Sequence, residues 1–169
     1  MKTQQQLSVF LVDDDKVFLK TLEHYLQYRS KHDVTIRSFP TGEECLKYLH
    51  EKPDIIVVDY ILNSNYPDAM NGAEVLQKIK RVSPDMTVIV ISGQEKMEIA
   101  LNTFRDGAYD YVLKSGTTLL QIQNVLSKAI ESVDQRKRRS ARASQVRVAA
   151  AIAGVVVLAL VVVRRMFLM

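Results

Sequence analysis

Short apolar runs alternate with longer stretches of helical periodicity along the first 133 residues of the chain. The runs have the length of β-strands, and several are rich in Val and Ile. They lie at Leu7–Val12, Val34–Phe39, Ile55–Asp59, Thr87–Ser92 and Tyr109–Leu113. Helical patterns lie between them at Lys16–Tyr28, Thr41–Glu51, Ala73–Val82 and Lys96–Asp106, and a last one begins at Thr118. Five such units predict an α/β fold, a doubly wound five-stranded parallel sheet with helices on both faces.

Two helix ends carry sequence signals of their own. Thr41-Gly-Glu-Glu44 fits a capping box, in which the first and fourth side chains each bond to the other residue's backbone amide. Gly107, directly after Asp106, fits a C-cap, where a left-handed residue ends the helix. Both signals support the alternation of strand and helix.

The pattern changes after residue 133. A basic stretch at 134–147 is followed by 16 apolar residues from Val148 to Val163, and then by Arg164 and Arg165. A helix of that run is roughly 24 Å long, against a hydrocarbon core of about 30 Å. Flanking arginines that snorkel outward and the short tail 166–169 would increase the bilayer thickness that this helix can span. We therefore expect a basic linker at 134–147 and a transmembrane helix at 148–165.

The charge distribution supports this expectation. The net charge of +4 divides into −3 for residues 1–133 and +7 for residues 134–169. Most of the basic residues precede the apolar run, so the positive-inside rule predicts a single pass through a bacterial cytoplasmic membrane with the N-terminal domain in the cytoplasm. The basic linker is expected to contact anionic lipid rather than nucleic acid. Ala150 and Gly154 are spaced as in helix pairs that associate, which favours a dimer.

Complementary polar side chains follow the strands at their carboxyl ends, where open parallel sheets place their chemistry. They are Asp13, Asp14 and Asp15 after the first strand, Asp59 at the end of the third, Ser92 at the end of the fourth and Lys114 after the fifth. Clustered carboxylates repel one another unless a cation lies among them, and Mg²⁺ needs only one or two of them. Ser92 and Lys114 are suited to contact a phosphoryl group. Asp59 would then be a carboxylate nucleophile that forms an acyl phosphate.

Each of these residues also has an ordinary structural explanation. An acid just past a strand is often the N-cap of the next helix, and we expect that of Asp15. The joint occurrence of three acids, a hydroxyl and an amine on one edge favours a functional site. The single cysteine, Cys45, excludes a disulfide framework and a multi-cysteine zinc site.

Four segments resemble the receiver domain of two-component response regulators, and the resemblance covers about residues 7–133. They are LVDDD at 11–15, PDIIVVD at 53–59, VIVISG at 88–93 and GAYDYVLK at 107–114. The resemblance implies a flavodoxin-like receiver fold in which Asp59 accepts a phosphoryl group from a histidine kinase or phosphotransfer protein. Signalling would follow through phosphorylation-dependent protein contact at the membrane. No enzymatic activity is implied beyond Mg²⁺-dependent self-phosphorylation and self-dephosphorylation at Asp59.

The resemblance also assigns roles to single residues. It implies that Mg²⁺ is bound by Asp13, Asp14, Asp59 and the backbone carbonyl of Ile61. Lys114 would bind the phosphoryl group, and Ser92 and Tyr111 would be the switch residues that respond to it. On this basis residues 1–133 form a stand-alone receiver domain with a C-terminal anchor.

Two departures from the family pattern stand out. Receivers typically place Pro four and Gly eight residues after the phosphoacceptor, whereas Pro67 and Gly72 lie eight and thirteen residues after Asp59. The loop at 60–71 is therefore about five residues longer. Ser115 stands where the family usually has a cis proline, and because a cis bond before a non-proline residue costs about 2.5–4 kcal/mol, we expect a trans bond there.

Two other functions fit parts of the same sequence. Asp13-Asp14-Asp15-Lys16-Val17 also fits the motif of haloacid-dehalogenase-like phosphatases, with Asp13 as nucleophile and Asp15 as general acid/base. In that family the last acidic motif follows the lysine, whereas Asp59 precedes Lys114. The other alternative is a membrane-tethered interaction module that is not phosphorylated.

Overall fold

The computed structural model describes residues 6–29, 33–62 and 69–167, and within 148–167 it gives the side chains of Ala150 and Ile152 only. These residues contain the strands β1 (Leu7–Val12), β2 (Val34–Phe39), β3 (Ile55–Asp59), β4 (Thr87–Ser92) and β5 (Asp110–Leu113). The helices are α1 (Lys16–Arg29), α2 (Gly42–Lys47), α3 (Gly72–Val82), α4 (Met97–Arg105) and α5 (Thr118–Phe167). The strands pair in parallel in the order β2-β1-β3-β4-β5. The predicted five-stranded parallel sheet is confirmed.

Both faces of the sheet are buried. Side chains alternate between the faces along a strand, so even-numbered residues of β1 share one side. Phe10 and Val12 belong to a cluster with Ile56 of β3 and Leu76 of α3. The intervening residues of β1 are equally buried. On their side, the Tyr25 hydroxyl of α1 donates to the Gln123 side chain of α5 at 2.9 Å.

The helix ends follow the sequence signals in part. Thr41 accepts a hydrogen bond from the Glu44 amide, as an N-cap does. Gly107 has a φ of 93°, and its amide and that of Ala108 donate to Phe104 and Thr103, which closes α4 as predicted. A reciprocal capping box, which the sequence analysis did not identify, lies at Asn71 and Glu74 and starts α3.

Gly72 brings the start of α3 against the end of β3. The Gly72 amide donates to the Tyr60 carbonyl at 2.9 Å, so the chain returns to β3 after the long loop. A Cβ atom at residue 72 would lie 2.1 Å from the carbonyl oxygen of Asp59 and 2.7 Å from the Tyr60 Cα. Only a residue without a Cβ fits this approach, and the backbone of Asp59 is held by it.

We expect Gly72→Ala to lower the free energy of unfolding by about 2–3 kcal/mol, because its methyl group has to displace backbone atoms. Urea denaturation of the two proteins measures the difference. Gly116→Ala is the matched control, since a Cβ there meets nothing within 4 Å in the described part of the chain. Equal losses in the two variants would show that the close approach at Gly72 is unimportant.

The chain divides by its contacts into two units, Met1–Ile130 and Glu131–Met169. Ile122, Leu126, Ala129 and Ile130 of α5 are buried, as the helical period predicts. The domain boundary after residue 133 stays a prediction. The dimer also stays a prediction, because Gly154 lies outside the residues with described side chains.

The expected membrane location is wrong. Within the part of the chain that the structure describes, no helix has an apolar stretch sufficient to cross a bilayer. The physical reason is length: 16 apolar residues make about 24 Å of helix, less than the hydrocarbon thickness of about 30 Å. The transmembrane helix at 148–165, the single-pass topology that depended on it and the lipid contact of the linker are therefore not supported.

Candidate functional site

Three buried carboxylates meet at the carboxyl edge of the sheet. Val12 of β1 lies opposite Val58 of β3, so Asp13 and Asp59, each one residue further on, lie side by side at the carboxyl ends of neighbouring strands. Asp13, Asp14 and Asp59 are 2%, 8% and 5% exposed. One oxygen from each lies within 4.8 Å of the other two. They line an open pocket together with Ile61, Gly93 and Lys114. The sequence prediction that these acids converge is confirmed.

Lys114 joins the two central carboxylates. Its Nζ donates to Asp13 Oδ2 and to Asp59 Oδ2, both at 2.8 Å. Because Lys114 follows β5, its side chain reaches across the end of β4 to the carboxylate of β3. The same ammonium lies 4.6 Å from the centre of the Phe18 ring, within the range of a cation–π contact. The sequence analysis missed Phe18, whose apolar position at the start of α1 carried no signal of this contact.

The electrostatics of the cluster leave negative charge in excess. Burial, reinforced by the charge of Asp13, raises the pKa of Asp59 to about 6. Burial also raises the pKa of Asp13, against the opposing effect of Lys114. Burial alone lowers the pKa of Lys114, but its bonds to Asp13 and Asp59 outweigh this and raise it. One ammonium therefore compensates the buried acids only in part.

The donor set fits a divalent cation. Asp59 Oδ1 is buried and has no hydrogen-bond partner among the described residues, so its lone pairs are not used by another group there. Asp13 and Asp14 supply further carboxylate oxygens close by. Mg²⁺ takes hard oxygen ligands, and its positive charge would stabilise the ionised forms of Asp13 and Asp59, whose pKa values burial raises. Ile61 lines the same pocket, where the resemblance places a carbonyl ligand.

Ser92 and Tyr111 do not join the carboxylate cluster in this structure. Ser92 is fully buried, and its Oγ accepts from the Gln94 amide at 3.1 Å. The Tyr111 hydroxyl donates to the Gln94 carbonyl at 2.7 Å, with its ring against the core. The peptide groups of Gln94 thus connect the two predicted switch residues. Gln94 could not be identified from the sequence, because its contacts are made by backbone groups and do not depend on its residue type.

Asp15 is the N-cap of α1, as expected. Its Oδ1 accepts from the amides of Val17 and Phe18 at 2.8 and 3.1 Å. A carboxylate that caps a helix in this way is turned to its own backbone. The phosphatase alternative requires Asp15 as a general acid/base, and this geometry gives it no support.

The two departures from the family pattern are partly described. The long loop includes Pro67, which lies outside the described residues, although Gly72 closes the loop against β3. The described residues contain no cis peptide bond, so the bond between Lys114 and Ser115 is trans, as expected. Lys114 reaches both carboxylates from this trans loop.

Asp59 gives the stability of the metal-free protein a pH dependence. Its pKa is about 6 in the fold, above the ordinary value of 3.8, so the folded state holds the proton more tightly. The free energy of unfolding should therefore fall as the pH rises from about 4 to about 6, by on the order of 2 kcal/mol. Asp59→Asn should reduce this dependence and leave only the part that the raised pKa of Asp13 contributes. Urea denaturation in EDTA measures it, and parallel pH profiles for the two proteins would contradict it.

Comparison with known proteins supports the resemblance. Residues 9–127 match the family described as the response regulator receiver domain. The chain is 31% identical over 107 residues to the C4-dicarboxylate transport transcriptional regulatory protein DctD of Rhizobium meliloti, covering 63% of this chain and 22% of that protein. It is 31% identical over 111 residues to the DNA-binding transcriptional regulator NtrC of Proteus hauseri, covering 65% and 22%. The chain spans about a fifth to a third of the length of the curated relatives that it matches.

Solved structures show the same fold. The BeF3-activated DrrB receiver domain is similar with a TM-score of 0.64 and 29% identity, over 75% of this chain and 99% of that one. The signal receiver domain of a LuxO repressor protein from Vibrio parahaemolyticus has a TM-score of 0.68 and 20% identity, over 79% and 96%. The second likeness shows the fold alone.

Proposed function

Because the chain belongs to the response regulator receiver domain family, we propose that Asp59 is its phosphoacceptor. The observation that carries this proposal is the buried Asp59 Oδ1, which has no hydrogen-bond partner among the described residues and belongs to a side chain that lines the pocket. The other carboxylate oxygen is held by Lys114, so the nucleophile is oriented while one oxygen stays available. With a pKa of about 6, most of the Asp59 carboxylate is ionised at pH 7, as a nucleophile must be.

The reaction is a phosphoryl transfer. A lone pair of Asp59 Oδ1 forms the new O–P bond while the donor's P–N or P–O bond breaks, and the leaving group keeps the electron pair of the broken bond. Asp59 becomes an acyl phosphate. In self-dephosphorylation, a water oxygen attacks the phosphorus, the O–P bond to Asp59 breaks, and the carboxylate and inorganic phosphate are released. Neither step needs a redox change.

The remaining residues of the cluster have roles that follow from their positions. Asp13, Asp14, Asp59 and the Ile61 carbonyl would hold Mg²⁺, which when bound supplies positive charge for the phosphoryl oxygens. Lys114 shares its ammonium between Asp13 and Asp59 before transfer. During transfer that ammonium would pass from the carboxylates to a phosphoryl oxygen, because Lys114 already bonds to Asp59, the side chain that would carry the phosphoryl group.

The response to phosphorylation is assigned to Ser92 and Tyr111. The Ser92 hydroxyl is bonded to the Gln94 amide, and exchange of that bond for one to the phosphoryl group would move the loop that begins at Gly93. Tyr111 holds the Gln94 carbonyl, so the movement is transmitted to β5. Nearby α4 carries Met97, Leu101 and Phe104, which are spaced along one helix face and largely exposed. This face suits a partner that binds after phosphorylation.

Members of this family interact with histidine kinases or phosphotransfer proteins, and we assign such a protein as the donor here. The direct test uses a small phosphodonor in place of a donor protein. The 169-residue chain is incubated with MgCl₂ and acetyl phosphate, and its intact mass is followed. We expect one added phosphoryl group that hydroxylamine removes. Steady release of phosphate from phosphomonoesters would favour the phosphatase alternative, and an unchanged mass would favour the interaction module.

A further inference from the structure

The loop that carries Lys114 is closed by a buried hydroxyl. Thr118, at the first position of α5, is 5% exposed. Its Oγ1 accepts the Ser115 amide and lies 2.7 Å from the Ser115 carbonyl, to which it donates. The Thr118 amide donates to the same carbonyl at 3.1 Å. Both polar groups of the Ser115 backbone are therefore bound by one residue.

This closure depends on the residue type at position 115. Proline has no backbone N–H, so a proline there would leave the Thr118 hydroxyl without the hydrogen bond that it accepts. Ser115 supplies that donor through a trans loop. The departure from the family pattern and the buried threonine are therefore two parts of one arrangement.

The loop determines where the Lys114 ammonium can reach. The Lys114 amide donates to the Ser92 carbonyl at 2.7 Å, which fixes the residue on the strand side. On the helix side, Thr118 fixes Lys114 through its hydrogen bonds to the backbone of the next residue, Ser115. Between these anchors, Nζ makes two bonds of 2.8 Å to acids at the carboxyl ends of two other strands. Small shifts in the loop are amplified at the end of a long side chain, and a displacement of about 1 Å can lower a rate by about 100-fold.

We propose that Thr118 is a positioning residue for phosphoryl transfer, whose hydroxyl holds the Ser115 backbone so that Lys114 reaches Asp13 and Asp59. The proposal rests on the proposed function of Asp59 for its effect on the rate. Its structural part does not depend on that function, because the position of Lys114 can be measured separately.

Thr118→Val tests the proposal, since it keeps the shape of the side chain and removes the hydroxyl. We expect labelling by acetyl phosphate at saturating donor and MgCl₂ to slow by about tenfold, with little change in the donor concentration for half-maximal rate. Thr118→Ser restores a hydroxyl and should restore the rate. Thr117→Val removes the neighbouring exposed hydroxyl and is the matched control.

A second readout follows Lys114 itself. An amine-modifying reagent is applied to the metal-free protein, and modification of Lys114 is located by mass spectrometry. The lysine held by two carboxylates should react several-fold more slowly in wild type, Thr118→Ser and Thr117→Val than in Thr118→Val. If Thr118→Val does not fold, Thr118→Cys replaces it, because a thiol of similar size is a much weaker hydrogen-bonding group.

The outcomes separate this proposal from the one on Asp59. Faster modification of Lys114 and slower labelling in Thr118→Val alone support both. Unchanged modification and labelling in Thr118→Val overturn the role of Thr118 and leave Asp59 as the acceptor. A wild type without any label refutes the proposed function, and the modification of Lys114 still decides whether Thr118 positions it.

Discussion

Asp59→Asn should abolish phosphoryl labelling of the full chain by acetyl phosphate and MgCl₂. The amide keeps the shape of the side chain but has no anionic oxygen to form the O–P bond. The fold should survive, since the variant removes a buried charge and is expected to be the more stable protein in EDTA at pH 7. Loss of the label would therefore report on chemistry and not on unfolding.

Asp15→Asn is the matched control for this prediction. Asp15 lies beside the cluster and lines the same pocket, but its Oδ1 caps α1. Asparagine is about as good an N-cap as aspartate, so both stability and labelling should stay near wild type. Labelling that persists in Asp59→Asn, or disappears in Asp15→Asn, would contradict the assignment of the nucleophile.

Lys114→Met should slow labelling by roughly 100-fold, because it removes a preorganised positive charge from the place where charge develops on the phosphoryl oxygens. It also leaves Asp13 and Asp59 without the ammonium that bonds to both. The free energy of unfolding in EDTA at pH 7 should fall by about 1–3 kcal/mol, a range discounted because the lysine is 27% exposed.

The control for Lys114→Met is the same substitution at Lys16, an exposed lysine at the edge of the same pocket. Lys16→Met changes the net charge equally and should leave the labelling rate within about twofold of wild type, since an exposed charge in water is strongly screened. Equal rates for the two variants would show that Lys114 acts only through net charge. A labelling time course with quenched samples measures the rate, and urea denaturation measures the free energy of unfolding.

The carboxylate cluster was predictable because it depends on topology more than on side-chain detail. Once β1 and β3 are neighbours in a parallel sheet, the residues at their carboxyl ends are adjacent, so Asp13 and Asp59 converge. Their strands are marked by apolar runs, which the structure reproduces to within one residue at β5. The reach of Lys114 follows from the same topology, since the side chain is long enough to cross one strand.

Contacts that depend on turn geometry were not predictable. The Ser115 amide donates a hydrogen bond to the Thr118 hydroxyl, and the Tyr111 hydroxyl donates one to the Gln94 carbonyl. Both bonds involve backbone groups, which almost every residue has, so residue type does not predict them. The ends of helices also depend on backbone hydrogen bonds. One helix was expected at Thr41–Glu51, but α2 ends at Lys47 and a 3₁₀ turn at Leu49–Glu51 follows, because the Tyr48 amide bonds to the Cys45 carbonyl.

The membrane prediction failed for a different physical reason. A run of 16 apolar residues lies between the lengths that buried and membrane-spanning helices require, so hydrophobicity alone does not separate them. The basic residues before the run were then interpreted on the assumption that the run spans a membrane. Charge asymmetry orients a helix that spans a membrane, but it is not evidence that a helix does so.

The most direct test of the central claim identifies the phosphorylated residue by chemical trapping. The labelled full chain is reduced with borohydride, which converts an aspartyl phosphate to homoserine, and the modified residue is located by peptide mass spectrometry. The account predicts homoserine at position 59, with none at Asp13, Asp14 or Asp15. Homoserine at position 13, or a labelled chain in which position 59 is unchanged, would contradict it.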